Sequence, residues 1–152
     1  MKSVTQLVAL DAIPWPLAVA LLLLHSCVSV RPVYKDKEQA IAEKAVSRFH
    51  ELHNSQDING IYDLMEQSVR EKEPKSKTID MIKKTIESVG GVQNAKLLQA
   101  SVLPNANPGY TSRVSLSYTT HFERGEATEF FTWDIKSGEA YLFEYRIVPG
   151  RQ

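Results

Sequence analysis

Two histidines three residues apart, in His50-Glu51-Leu52-His53, are the first side chains here whose types could do chemistry together. A zinc-binding helix of the His-Glu-x-x-His kind needs its histidines four apart, so that both imidazoles face one ion with the glutamate beside it. At a spacing of three, with no further His or Cys cluster and with Asn54 ending the pattern, the expectation is a solvated helix end, where a histidine weakly stabilises the last carbonyls, and no metal. A second set, His121, Glu123, Glu129, Asp134 and Glu144, lies on segments read below as strands. If those strands converge, His121 beside a carboxylate makes a general acid–base pair in a cavity. Otherwise these groups face solvent or pair across strands with Arg113, Arg124 and Arg146. The remaining reactive group is the single thiol, Cys27. No phosphate loop, triad motif, dinucleotide turn or repeat is present, so no catalytic residue and no cofactor is assigned.

The elements that must position these groups follow from the hydrophobic period. From Asp36 to His53, Ile41, Ala45, Val46, Phe49 and Leu52 recur at spacings of three and four, which predicts an amphipathic helix. Asn54-Ser55-Gln56 breaks it, and Asp57 is placed to cap a second helix in which Ile58, Ile61, Tyr62 and Met65 share a face. A charged connector, Arg70 to Glu73, leads to Pro74 and a third helix with Ile79, Ile82, Ile86 and Val89 in one stripe, stopped by Gly90-Gly91. The period then changes. Residues 92–103, 110–123, 126–136 and 139–148 alternate or are rich in aromatic and β-branched residues, with turn sequences between them, so four antiparallel strands are expected. In the second, Val114, Leu116, Tyr118, Thr120 and Phe122 form a core face. The third and fourth are mixed on their two faces, and Phe130 must face away from Phe131, offering an apolar patch for a partner protein. Most of the aromatic set, Phe122, Phe130, Phe131, Trp133, Tyr141, Phe143 and Tyr145, is assigned to the core.

At 152 residues, 43% apolar and 24% charged, the chain suits one globular domain. Eighteen basic residues balance 18 acidic ones, which removes the charge excess that nucleic-acid binding exploits.

The N-terminus reads differently. Ile13 to Leu24 is an uncharged run of the length of an export signal's apolar core, too short to span a bilayer and interrupted by Pro14 and Pro16. Leu24-His25-Ser26-Cys27 resembles a lipobox, with an aliphatic residue three before the cysteine and a small one just before it. The resemblance implies a signal peptide over residues 1–26, lipidation of Cys27 and attachment to a bacterial membrane, with residues 27–35 as tether and 36–150 as the domain. Val28 in place of an aspartate implies the outer membrane of a two-membrane host. The alternative is ordinary cleavage after Ser29 and secretion. A lipoprotein's multiple acyl chains would hold it stably, and without a second cysteine the mature domain must be stabilised by packing alone.

Three helices followed by four antiparallel strands imply an α+β domain with helices on the concave face of a curved, cone-like sheet. The order of elements over residues 36–148, the second helix Asp57–Met65 and the closing Tyr141-Leu142-Phe143-Glu144-Tyr145-Arg146-Ile147 strand resemble the nuclear transport factor two-like, or cystatin-like, superfamily. That resemblance carries the fold only. Three functions stay open: a non-enzymatic envelope protein binding a protein or small ligand, a cavity enzyme using a His121–carboxylate pair, and a self-associating, dimeric module.

Overall fold

A computed structural model describes residues 33–150; the segment expected to be signal peptide and most of the expected tether, with Cys27, lie outside the described residues. Helix α1 (Val33–Asn54) starts three residues ahead of Asp36 and buries Val46, Phe49 and Leu52 of the expected face, with Ile41 and Ala45 packed against the core, and it also buries Glu38, Ala42 and His53. The apolar set read from the sequence thus meets the core, and beside it the helix carries two polar residues, Glu38 and His53, into the interior. Asp57 caps α2 (Ile58–Leu64) as expected, its Oδ1 accepting the Gly60 N–H at 2.8 Å.

The expected three helices are four. The extra element, α3 (Gln67–Arg70), is a single turn directly before the charged connector. It has no hydrophobic period to announce it. Capping holds it instead: the Glu66 carboxylate accepts the backbone N–H and the hydroxyl of Ser68 and the Tyr110 hydroxyl, while the Glu66 N–H donates to Leu142 O. Helix α4 (Lys75–Val89) follows and stops where predicted, at Gly90, whose φ of 76° is left-handed and whose N–H donates to Ile86 O.

Strands β1 (Val92–Pro104), β2 (Ser112–Phe122), β3 (Gly125–Lys136) and β4 (Glu139–Pro149) form one antiparallel sheet in sequence order. Ser137-Gly138, with φ of 54° and 82°, makes the tight turn between β3 and β4. Val114, Leu116, Tyr118, Thr120 and Phe122 are all buried on the inner face, as the alternation of β2 predicts. β4 is different. Trp133 pairs with Leu142 but Thr132 pairs with Glu144, so Phe143 is an extra residue in a bulge. Leu142 and Tyr145 thereby share the inner side, a parity that strict alternation denies them.

Helix α1 lies on this inner face in a two-layer α+β arrangement. Phe49 meets Phe131 edge-on with centroids 5.2 Å apart and Tyr145 at 4.8 Å, and Phe131 stacks on Trp133. Each such side chain contributes about 1.5–3 kcal/mol on burial. The core is continuous from α1 through α2 and α4 to all four strands, so the described residues bury an apolar core of their own. Among the described residues no helix is long and apolar enough to cross a membrane.

Candidate functional site

Glu129 on β3 is fully buried, on the same inner face as Phe131 and Trp133. A carboxylate there must be paired or neutral. It is paired: His50 Nε2 donates to Oε2 at 2.8 Å, the Thr120 hydroxyl donates to the same oxygen, and the Tyr145 hydroxyl donates to Oε1 at 2.8 Å. Burial pushes the Glu129 carboxyl up, but the hydrogen bond and charge of His50, with Thr120 and Tyr145, outweigh it and hold the group below the ordinary carboxylate range. Burial, then the Glu129 charge, pushes the Tyr145 hydroxyl well above its ordinary value, so it stays a donor. Tyr118, 6.4 Å from the His50 ring, is pushed up to about 12 by burial and by the charges of Glu43 and Glu129. Both carboxylate oxygens are thus occupied by protein donors, and the His50 side chain is only 13% exposed. The arrangement fixes α1 on the sheet.

Next to this network lies a cavity of about 310 Å³ between the C-terminal half of α1, α2, α4 and β4. Phe49, Ile61, Ile86, Leu142 and Tyr145 form its inner wall; Met65, Val69, Thr78, Met81 and Ile82 form the outer one. Met81 is 62% exposed, so a large apolar side chain stands open to solvent. His53 also lines the cavity, with Nε2 donating to Gly90 O at 2.8 Å; burial pushes its pKa below the ordinary value, so the ring is neutral at pH 7. Tyr145 belongs to both regions: its ring walls the cavity and its hydroxyl holds Glu129.

The structure brings few of the sequence-picked groups together. His121 is 54% exposed and sits opposite Glu126, its Nε2 3.3 Å from that carboxylate. Its carboxylate partner is thus in solvent and not inside a closed cavity, as the alternative reading of His121 required, and alternation gives the reason. On β2 the inner face belongs to Tyr118 and Thr120, so His121 must point outward. Glu123 is exposed and accepts the Gly91 N–H. Asp134 is buried, gripped by Arg113 through two bonds of 2.7 and 2.8 Å and by Asn105 at 2.8 Å. Glu144 is exposed, Arg146 lies over the Phe130 ring, and Arg124 donates to Glu87 O.

The solvated-end reading of His50 and His53 is also corrected. Each ring takes its own partner, buried Glu129 for His50 and Gly90 O for His53, because both positions flank Phe49 on the face that meets the sheet. One signal for the missed His50–Glu129 pair was present. Period two through Phe131, Trp133 and Ile135 places Glu129 on the core side, where a carboxylate demands a donor. Among the described residues, no three His, Cys, Asp or Glu side chains gather as metal ligands would.

Phe130 on the outer sheet face is covered by the guanidinium group of Arg146, 4.5 Å from the ring centroid, and Phe143 in the β4 bulge by that of Arg113 at 3.8 Å. Phe130 thus faces away from the core as alternation requires, but a cation lies over its ring. At the Phe130–Arg146 pair lies a depression bordered by Gln99, Ser101, Ser115, Ser117, Thr132 and Glu144. Compared with known proteins, the chain matches no protein-family model and no curated relative.

Proposed function

We propose that this chain is an exported envelope protein, held to a membrane by lipid on Cys27, whose domain has a non-enzymatic role and binds a small apolar ligand. The observation that carries the binding reading is the apolar cavity between α4 and β4, whose volume of about 310 Å³ falls in the range of small-molecule sites. The neighbouring His50–Glu129 pair supports binding over catalysis, since both carboxylate oxygens are already engaged. A curved, cone-like sheet of the nuclear transport factor two-like kind fits this reading; the β4 bulge and the element order support it. The anchor rests on Leu24-His25-Ser26-Cys27.

Residues 32–152, titrated with the uncharged dye N-phenyl-1-naphthylamine, are expected to enhance its fluorescence saturably, and Ile82→Trp, which fills the cavity, to abolish that response. An unresponsive wild-type domain refutes the binding reading. For the anchor, a palmitate analogue should label the full chain but not Cys27→Ala in a bacterial host. Unlabelled, soluble protein would make this a secreted domain.

A second reading, self-association, is favoured by the outer face. It carries small hydroxyls at Ser101, Ser115, Ser117 and Thr132 around the Phe130–Arg146 pair, a surface that another sheet could approach. Sedimentation as a monomer at high micromolar concentration would remove this reading and leave the first intact.

A further inference from the structure

Resting on the cavity-binding reading above, we infer that the ligand is a single-chain anionic amphiphile, a medium-length alkyl chain with one carboxylate head, bound tail-inward. The volume limits the tail. At about 310 Å³, and with each methylene filling nearly the room of one water, about 30 Å³, the cavity takes on the order of ten chain carbons. That is one chain, not the two of a bilayer phospholipid. Met65 and Met81, unbranched and polarizable, let the wall adjust to an alkyl chain.

Charge orients the head. Thr78 and Val69 line the cavity beside the start of α4, and three cations, Arg70, Lys72 and Lys75, lie along the chain from the end of α3 to the first residue of α4. Lys72 Nζ lies 5.7 Å from the ring centroid of Phe143, itself a lining residue. Lys75 Nζ and the Arg70 guanidinium lie 4.7 and 5.8 Å from the Tyr62 ring, on the helix that also supplies Ile61. Among the described residues none of the three has a carboxylate within salt-bridge distance. Of the acids along residues 66–73, Glu66 binds Ser68 and Tyr110, Glu71 binds Gln67, and Glu73 pairs with Lys77. Arg113 also lies over Phe143, but Asp134 neutralises it. The one carboxylate among the lining residues, Glu144, is exposed and opposes Thr132 on the outer sheet face. The first turn of α4 adds its dipole to the same region. An apolar tail with an anionic head matches both halves of this site, whereas a cationic amphiphile would meet like charge.

The test is displacement of N-phenyl-1-naphthylamine from residues 32–152 by decanoate, decanol and decyltrimethylammonium in parallel, with octanoate and hexadecanoate as length controls. Decanoate is expected to compete at least tenfold better than decanol and better than either length control. Lys72→Glu with Lys75→Glu, exposed substitutions expected to keep the melting temperature, should erase the preference for decanoate while leaving dye binding intact. Equal competition by decanoate and decanol overturns the inference and leaves the binding reading standing. Displacement by anionic phospholipid vesicles but not by decanoate overturns it in favour of a membrane surface. Failure of the dye to bind overturns both.

Discussion

Replacing Glu129 by Leu tests whether the buried network, rather than apolar packing alone, holds α1 to the sheet. Leu nearly preserves volume, so the change removes an acceptor from three donors: His50 Nε2, the Thr120 hydroxyl and the Tyr145 hydroxyl. Glu129 is 0% exposed, so water cannot replace it for these groups. Each donor left unpaired costs about 1–3 kcal/mol, offset partly by no longer burying a charge, for a net loss of about 3–5 kcal/mol. In a domain of about 120 residues, where 1 kcal/mol shifts the melting temperature by about 4 °C, the expected drop is about 12–20 °C at pH 7. The acid limb gives a second signature. The folded carboxyl titrates below its ordinary value of 4.5, and the unfolded chain takes up the proton first. The stability due to Glu129 is thus complete above that value and lost as pH falls through the lower folded pKa. Glu129→Leu should remove that part of the acid-induced loss. Thermal melts from pH 7 to pH 3 measure both effects. A shift under 4 °C at pH 7, with an unchanged acid limb, would show that the carboxylate contributes nothing net and that this account of the network is wrong.

Other consequences are simpler to state. His53→Leu should cost about 1–2 kcal/mol at pH 7.5, because Gly90 O loses its buried donor. It should also flatten the wild-type decline in urea midpoint below pH 6.5: burial lowers the folded His53 pKa from that value, so the unfolded state protonates first as pH falls. Gly138→Ala, at φ 82° with nothing within 4 Å of the new Cβ, should cost about 1 kcal/mol from backbone conformation alone. Gly90→Ala, at φ 76° and with Glu123 atoms 2.8 and 2.9 Å from that Cβ, should cost about 2–3 kcal/mol; equal urea midpoints for the two variants would contradict the crowding argument.

What the sequence made legible was whatever a local period or turn residue encodes. The four strands, the Asp57 cap, the Gly90 stop and the inner face of β2 all follow from patterns within a few residues. What escaped depended on long-range pairing. The β4 bulge at Phe143 inverts one strand's parity, and nothing within β4 itself marks it. α3 is held by Glu66 through partners as distant as Tyr110, 44 positions along the chain. The site escaped for the same reason. His50 and Glu129 are 79 residues apart, and each alone reads as a polar residue on an amphipathic element. His121 looked the better partner because it shares a sheet with the carboxylates, but the register sends it to the opposite face.

Tyr145 is where support and binding meet, and its two ends should separate experimentally. The ring walls the cavity and packs on Phe49 and Phe131, while the hydroxyl donates to Glu129 Oε1 at 2.8 Å. Tyr145→Phe keeps the ring and deletes only the donor. A hydrogen bond to a charged acceptor is worth about 1.5–3 kcal/mol, so stability should fall by about that much. The same substitution made in Glu129→Leu should be neutral or stabilising, because it removes a donor already left without its acceptor; the coupling between the two positions then exceeds 1 kcal/mol. Dye affinity should stay within about twofold, since the wall it meets is unchanged. The opposite pattern, a tenfold loss of dye affinity at unchanged melting temperature, would mean that the hydroxyl serves the ligand. The division between a structural network and an apolar cavity would then have to be abandoned, and Glu129, one hydrogen bond behind Tyr145, and His50, two behind, would become part of the site.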